Sequence, residues 1–358
     1  MDDTIINENI SNGNEENGPI TAIQERLKNI YTRSTPPQAE EYTKLVNSIN
    51  KVLDNEEEAM RPRDSKGRPG GIINLKKDIP TLVMPDLHAR MDFLFSTMLY
   101  QDAQGVSVLQ KLAGNKLQVV CVGDGFHSEG KFAERWKKAF DEFQNLYRTR
   151  KHMDAEMRAS MGVMEMVMEL KGAFPGNFHF LKGNHENITN ENGGGNFPFR
   201  KYAYEGAMVL EYVKRFYGDE FIRAYYNFEK NLPLLCIGRH FLISHAEPNQ
   251  FYDHKKIINY RYDPDVVAGL TWTDNNTAAE GSVMKMIQYY LPEEVWWSGM
   301  YFGGHRPVAG TYNVRADGKY VQLHNPLKFY VTVIEVEGEI DLEKNIIEIE
   351  NSAKTLYA

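Results

Sequence analysis

The stretch Gly183-Asn184-His185-Glu186 is the part of the sequence that decides the fold. It follows the apolar run Phe178–Leu181, from which a single lysine separates it. A short apolar run that is bounded by turn residues is typical of a buried strand. Glycine lets the backbone turn sharply, and asparagine and histidine side chains bind metal ions or transfer protons. The stretch therefore predicts a strand whose carboxyl end carries chemistry.

Four other segments share this pattern of an apolar run followed by polar residues. They are Pro85-Asp86-Leu87-His88, Gly123-Asp124, Ser244-His245-Ala246-Glu247 and Gly303-Gly304-His305. Helical patterns separate the runs, as expected for strands that are buried on both faces of an α/β protein. Strand ends that meet at one edge of a sheet would gather these side chains into a site for two metal ions.

The first three candidate metal ligands are Asp86, His88 and Asp124. Asp86 and His88 are separated by one residue, so in an extended chain they lie on the same face and reach one ion. Asp124 follows a glycine at the end of its apolar run. Its carboxylate has two oxygens and is our candidate for the ligand shared by both ions.

Three further candidates are Asn184, which offers a carbonyl oxygen, and His245 and His305, which offer imidazole nitrogens. This mixed set of oxygen and nitrogen ligands suits manganese, iron, zinc or cobalt, and Mn²⁺ is the first expectation. Two ions roughly 3.5–4 Å apart hold a hydroxide between them that attacks phosphorus. His185, whose side chain points away from that of its neighbour Asn184, is the candidate general acid for the leaving group.

Composition limits the class of protein. The chain has 358 residues, 42% hydrophobic and 25% charged, which is ordinary for a globular protein. A net charge of −8 argues against a nucleic-acid scaffold, and no apolar stretch reaches the roughly 18–20 residues of a membrane span. Cys121 and Cys236 lie inside apolar runs, which indicates buried, reduced thiols and a cytoplasmic location.

Periodicity and composition divide the chain into segments. We expect a disordered polar tail, a helical extension with a basic loop, a catalytic domain with a helical insertion, and a C-terminal tail. The boundaries are 1–18, 19–77, 78–345 with the insertion at 131–172, and 346–358. The insertion is either one long helix or two helices that meet near Arg150. Its stripe of methionines is typical of core packing.

The five segments together resemble the calcineurin-like metallophosphoesterase superfamily, whose motifs run D-x-H, G-D, G-N-H-[DE], H and G-H. The resemblance covers about residues 80–310 through these motifs. It implies an α/β sandwich of two mixed β-sheets flanked by helices, here with an N-terminal helical extension. It also implies that one ion is held by Asp86, His88 and Asp124, with His185 as the proton donor. A second ion would be held by Asp124, Asn184, His245 and His305.

Within that superfamily the chain is most similar to the Ser/Thr phosphoprotein phosphatase branch, with one variant motif. Many superfamily members end in G-H-x-H, but here Pro307 stands where the second histidine would be. The Ser/Thr phosphoprotein phosphatase branch likewise carries a single histidine at this motif. The branch reads G-D-x-V-D-R-G at its second motif. Here His127 replaces the aspartate that supports the catalytic histidine, and Ser128 replaces the phosphate-binding arginine.

The phosphate-binding group must therefore differ. Arg306, next to His305, is the nearest replacement, and Arg90 and Arg200 are further candidates. His127 is assigned either to proton transfer or to support of a neighbouring group. The remaining histidines match no motif and are expected to be structural or surface residues; they are His152, His179, His240, His254 and His324.

The sequence thus predicts a metal-dependent phosphoester hydrolase that acts as a phosphomonoesterase on a phosphorylated protein or small molecule. A nucleotide pyrophosphohydrolase or phosphodiesterase of the same fold is the alternative, because the same hydroxide attack serves both. A metal-binding scaffold without activity is the third reading.

Overall fold

The computed structural model describes residues 17–357, so the predicted polar tail falls outside the described residues except for its last two positions, which begin a helix. The helices are α1 (Asn17–Thr32), α2 (Ala39–Asp54), α3 (Met91–Leu99), α4 (Val108–Ala113), α5 (Ala133–Gln144), α6 (Lys151–Ala173), α7 (Glu205–Phe216), α8 (Gly218–Lys230), α9 (His254–Ile258), α10 (Pro264–Thr271), α11 (Ser282–Tyr290), α12 (Leu342–Asn345) and α13 (Ser352–Tyr357). The strands are β1 (Ile72–Asn74), β2 (Thr81–Met84), β3 (Gln118–Cys121), β4 (Phe178–Phe180), β5 (Leu235–Ile237), β6 (Phe241–Ser244), β7 (Met300–Gly303), β8 (Asn313–Arg315), β9 (Tyr320–Gln322), β10 (Tyr330–Ile334) and β11 (Ile346–Glu348).

The strands form two sheets. Sheet A has the order β1-β5-β6-β7-β9-β8, and sheet B has the order β11-β10-β2-β3-β4. In sheet A the neighbours β6, β7 and β9 are parallel, whereas β8 runs antiparallel to β9. In sheet B the neighbours β2, β3 and β4 are parallel, whereas β10 runs antiparallel to β2. Both sheets are mixed, which confirms the predicted architecture.

The sheets pack face to face with helices on their outer sides. Val83 and Val120 of sheet B share a buried apolar cluster with Ile243 and Phe302 of sheet A. Successive side chains of a strand point to opposite faces, so Leu82 instead belongs to the cluster that includes the helices α1 to α8. The helices α9, α10 and α11 cover the outer face of sheet A. The central strands are therefore buried on both faces, which explains their continuous apolar runs.

The predicted helical insertion is two helices, α5 and α6, separated by residues 145–150. Leu146 and Tyr147 there have φ of +56° and +52°, a left-handed conformation that ends α5. The methionine stripe of α6 is buried in the core, as predicted, through Met153, Met157, Met161, Met164 and Met168. Both α1 and α2 contact α6.

The end of the chain is folded onto the sandwich. Of the predicted C-terminal tail, residues 346–348 form β11, which pairs with β10, and residues 352–357 form α13, which contacts α3. Strands β8 and β9 form a hairpin, and Asp317 and Gly318 lie in the turn between them. Between residues 17 and 357 no helix has the length and apolar character that crossing a membrane requires.

Candidate metal centre

Every predicted metal ligand lies in a loop that follows the carboxyl end of a parallel strand. Asp86 and His88 follow β2, Asp124 follows β3, and Asn184 follows β4, all in sheet B. His245 and His305 follow β6 and β7 in sheet A. Because β2, β3 and β4 are parallel neighbours, as are β6 and β7, each sheet delivers its loops to one edge. The two edges meet, and the side chains come together between them.

The loops adopt strained backbone conformations that hold the side chains inward. Asp124 and His305 have φ of +53° and +66°, which non-glycine residues rarely adopt. Gly304 is required next to His305, because a Cβ atom there would lie 1.8 Å from Asp86 Oδ2. Gly183 is required for the same reason, since its Cβ would lie 2.2 Å from Asp124 Oδ1.

Glu186, the last residue of the motif, ties two of these loops together. Its carboxylate accepts hydrogen bonds from the backbone N–H groups of Gly183 at 2.7 Å, Asp124 at 3.0 Å and Gly125 at 2.8 Å. The loop after β4 is thereby fixed against the loop after β3. This explains why a glutamate completes the stretch Gly183–Glu186.

The first donor group contains Asp86, His88 and Asp124. The Nδ1 atom of His88 lies 3.1 Å from the carbonyl oxygen of His127, to which it donates, so the lone pair of the neutral ring is on Nε2. That Nε2 lies 3.7 Å from Asp124 Oδ2. Asp86 Oδ2 and Asp124 Oδ2 are buried and have no hydrogen-bond partner among the described residues.

Burial also sets the protonation of this group. It raises the pKa of Asp86 to about 6, and it raises that of Asp124 well above its usual range, with neighbouring carboxylates adding to the effect. It lowers the pKa of His88. Burial thus disfavours the charged form of each of these side chains, and a cation bound between them would favour the ionised carboxylates and the neutral imidazole.

The second donor group is Asp124, Asn184, His245 and His305. Nδ1 of His245 donates to the carbonyl of Val122 at 3.0 Å, which leaves the lone pair on Nε2, 2.9 Å from Asn184 Oδ1 and 3.4 Å from Asp124 Oδ2. Nδ1 of His305 lies 2.9 Å from the same Asn184 oxygen. Burial lowers the pKa of His305 to about 3 and that of His245 well below its usual range.

These two groups fit a pair of metal ions. For Asp124, His245 and His305 the potential ligand atoms lie within 4.8 Å of one another, and the same holds for His88 and Asp124 together with His185. The donors are oxygens and imidazole nitrogens, the set that manganese, iron, zinc and cobalt accept. Asp124 belongs to both groups, so the chain itself supplies a shared ligand.

His185 and His127 form a buried pair beside the donors. Their Nδ1 atoms are 2.8 Å apart, and His185 Nε2 lies 3.7 Å from Asp124 Oδ2. The backbone N–H of His185 donates to Asp124 Oδ1 at 2.9 Å, which fixes its position. Burial, with the neighbouring histidines, lowers the pKa of both rings, that of His127 to about 3. The phenyl ring of Phe199, 3.8 Å away between ring centroids, covers His185.

The three candidate phosphate-binding arginines differ in their surroundings. Arg306 is partly exposed and forms an ion pair with Asp274, at 2.8 Å from its Nε and 3.0 Å from its Nη2. Arg200 is exposed in the loop before α7.

Arg90, by contrast, is buried and donates to backbone carbonyls. Its partners include those of Asp86 at 2.6 Å and Asn325 at 2.9 Å. These contacts hold the backbone next to a candidate ligand. Arg90 is also part of the wall of a cavity that borders the first donor group, so its role in binding phosphate stays a prediction.

Sequence reasoning missed two features. His324, assigned to no motif, is fully buried with Nδ1 3.7 Å from Asp86 Oδ2, and it follows β9 by two residues, as the other donors follow their strands. That position was the available signal. In addition, Ser128 accepts a hydrogen bond from Nη2 of Arg135 at 2.8 Å. A guanidinium from α5 thus contacts the position where the similar branch carries an arginine.

A cavity of about 430 Å³ borders the first donor group. Its walls include His88, Glu129 and His324 on the inner side and Leu327 and Phe329 on the outer side. A larger cavity of about 1160 Å³ is lined by residues of α2, α8 and the loop at 191–194, and it contains none of the predicted metal ligands. Of these two cavities, the smaller one borders the candidate donors.

The two mixed sheets and the donors at their strand ends define a phosphoprotein phosphatase-like metallophosphoesterase fold. Among solved structures, the chain is similar to a protein serine/threonine phosphatase from Saccharomyces cerevisiae with similarity to human phosphatase PP5. The two are 13% identical over 87% of this chain and 89% of that chain, with a TM-score of 0.52.

Two cold-active protein tyrosine phosphatases are more distant. A mutant form is 15% identical over 78% of this chain and 80% of its own, with a TM-score of 0.43. The enzyme of a psychrophile, Shewanella SP., is 14% identical over 77% and 82%, with a TM-score of 0.42. No family model and no curated protein matches the sequence. The likeness to the yeast structure establishes the fold and confirms the expected resemblance at that level.

Proposed function

We propose that this chain is a two-metal phosphomonoesterase that hydrolyses phosphorylated proteins or small molecules. One observation carries the proposal: the buried Asp124 lies within ligand distance of His88 in one group of donors and of His245 and His305 in another, and its carboxylate accepts a hydrogen bond from the backbone N–H of His185. Asp86, His88 and Asp124 would hold the first ion. Asn184, His245 and His305 would hold the second, again with Asp124. Mn²⁺ is the expected metal, with iron, zinc or cobalt as alternatives.

Ions bound here would lower the pKa of water and stabilise the charge that develops on the phosphoryl oxygens. The chain itself supplies the proton for the leaving oxygen. Since both rings of the His127–His185 pair are neutral, a single proton lies between their Nδ1 atoms. The Nε2 atom of His127 has no partner among the described residues, which suits an acceptor better than an N–H donor.

His127 is therefore the donor in this pair, and its proton lies on Nδ1. His185 then accepts at Nδ1 and keeps its own proton on Nε2, the atom that faces Asp124. In this form His185 can donate to a leaving oxygen that sits beside the metal site. His127 contributes to proton transfer by fixing the tautomer, where the similar branch uses an aspartate.

The experiment compares His185→Gln with the wild-type chain on p-nitrophenyl phosphate in the presence of Mn²⁺. Loss of a general acid is expected to lower kcat by about 10²–10⁴-fold and to leave bound metal, measured by equilibrium dialysis, unchanged. His254→Gln, at the start of α9 and part of none of the five motif segments, is the matched control and should retain full activity. Equal turnover by His185→Gln and wild type would refute the role.

Two further measurements separate the alternatives. Preferential turnover of bis-p-nitrophenyl phosphate over the monoester would reassign the chain to the phosphodiesterase or pyrophosphohydrolase reading. Absence of metal-dependent hydrolysis on a broad panel of phosphate esters, with metal bound, would favour the scaffold reading. The sheltered pair of histidines argues for catalysis, because a scaffold has no need of a proton donor beside its metal site.

A further inference from the structure

His324 occupies a position that the two ligand sets do not use. It follows β9, which is parallel to β7, so sheet A delivers it to the same edge as His245 and His305. Its ring is fully buried, and the ring centroids of His324 and His88 are 5.0 Å apart. With Asp86 and His88 it forms a group whose ligand atoms lie within 4.8 Å of one another.

The contacts of His324 determine which nitrogen carries the proton. Nε2 lies 3.4 Å from Glu129 Oε2, and Glu129 is itself held by Lys201 at 2.5 Å through its other oxygen. Nε2 is thus the atom with a hydrogen-bond acceptor, and a neutral imidazole protonated there has its lone pair on Nδ1.

That lone pair faces another acceptor. His324 Nδ1 is 3.7 Å from Asp86 Oδ2, too far for a hydrogen bond, and neither atom has a partner among the described residues. Two buried electron-pair donors that converge in this way repel each other unless a cation lies between them. A histidine that binds a metal through one ring nitrogen usually donates the N–H of the other ring nitrogen to a carboxylate or a carbonyl. His324 has this arrangement, with Nε2 next to Glu129 and the lone pair of Nδ1 directed at Asp86.

The loop after β7 supplies one imidazole, that of His305, where some superfamily members have two. In superfamily members that end in G-H-x-H, the second histidine adds a ligand to the first ion, but Pro307 stands at that position in this chain. The next parallel strand, β9, brings His324 to the Asp86 side of the site instead.

We propose that His324 is a fourth protein ligand of the first ion, through Nδ1, and that Glu129 and Lys201 orient it. This inference rests on the proposed function, because it assumes that the first donor group binds metal. It gives the first ion two imidazoles, from His88 and His324, and two carboxylates, from Asp86 and Asp124. Such a set favours zinc, cobalt or iron over magnesium.

The first experiment needs no variant. Crystals of the wild-type chain grown with Zn²⁺ and measured at the zinc absorption edge should show two ions, with His324 Nδ1 about 2.0–2.1 Å from the first. Two ions with His324 remote from both would overturn the proposal and leave the proposed function intact. No ion at all would overturn both.

The second experiment measures affinity in the full chain after removal of metal with a chelator. Binding of two Zn²⁺ equivalents is followed by calorimetry, and His324→Ala is expected to weaken one of them by at least about 10–100-fold. That is the loss typical when a residue that only orients a metal ligand is replaced. Added imidazole should restore part of that affinity, which a structural defect would not allow.

Two variants complete the comparison. Glu129→Gln is expected to weaken the same equivalent by a smaller factor, because it removes only the orienting acceptor. His305→Gln should weaken the other equivalent instead. Unchanged binding of both equivalents in His324→Ala would refute the assignment even if wild-type hydrolysis of p-nitrophenyl phosphate is fully metal-dependent.

Discussion

The buried cluster around Glu56 gives a quantitative prediction about stability and pH. The Glu56 carboxylate is almost completely buried and pairs with Arg61 at 2.7 Å and with Lys171 at 2.5 Å. Arg61 also donates to the carbonyls of Gly70 at 2.7 Å and Asn231 at 2.5 Å, so Glu56→Gln leaves part of its network in place. The substitution removes the one negative charge between two buried cations.

The magnitude follows from the pKa of Glu56. Burial opposes its ionisation, but the charges of Arg61 and Lys171 outweigh burial and lower its pKa from 4.5 to about 2. Because one pKa unit is worth about 1.4 kcal/mol, the ionised form stabilises the fold by roughly 3 kcal/mol. A lowered carboxylate pKa gives stability that is complete above the unfolded value near 4.5 and is lost as the pH falls towards about 2.

The assay is urea unfolding followed by far-ultraviolet circular dichroism at a series of pH values from neutral to about 3. Glu56→Gln will be less stable at neutral pH, by about 3–5 kcal/mol if both cations stay buried, and its stability will fall less steeply below pH 4.5 than that of wild type. Glu40→Gln is the control, since the Glu40–Lys44 pair on α2 is exposed. Parallel pH profiles for wild type and Glu56→Gln would refute the reasoning.

Two further substitutions probe the site. Gly304→Ala places a Cβ 1.8 Å from Asp86 Oδ2 and should weaken metal binding about 10–100-fold in equilibrium dialysis. Gly310→Ala is the control and should have no effect, because the nearest atom to a Cβ there is 4.0 Å away. Equal metal affinities of the two variants would contradict the steric argument. Arg306→Ala should raise KM for p-nitrophenyl phosphate with little change in kcat, and the thermal midpoint should hardly change because an exposed ion pair adds only about 0–1 kcal/mol. Asp274→Asn, which frees Arg306 from its ion pair, should not raise KM. An unchanged KM in Arg306→Ala would show that Arg306 does not bind the substrate.

The sequence predicts those parts of the site whose determinants are local. An apolar run, a tight turn and a polar residue stand next to one another at Asp86, Asp124 and Asn184, so the strand and its carboxyl-end side chain can be inferred together. The same holds for His245 and His305. The structure brings all of these side chains into contact distance, because the strands that carry them are neighbours in their sheets.

Features that depend on distant partners could not be predicted. The partners of Arg90 include the carbonyl of Asn325, 235 positions away in sequence, and nothing local reveals that its guanidinium is already engaged. The contact of Arg135 with Ser128 requires the register of α5 against the loop after β3. No glycine precedes His324 to mark a tight turn after its strand. His324 nevertheless follows a strand, as the other candidate donors do.

The location of His324 has a mechanical consequence. Without it, the first ion would be held by sheet B alone, through the loops after β2 and β3. With it, each ion is anchored in both halves of the sandwich, and separating the halves would require breaking coordination bonds at two points. Bound metal would then hold the two halves together, so the free energy of unfolding should rise with the logarithm of the free metal concentration once that exceeds the dissociation constant.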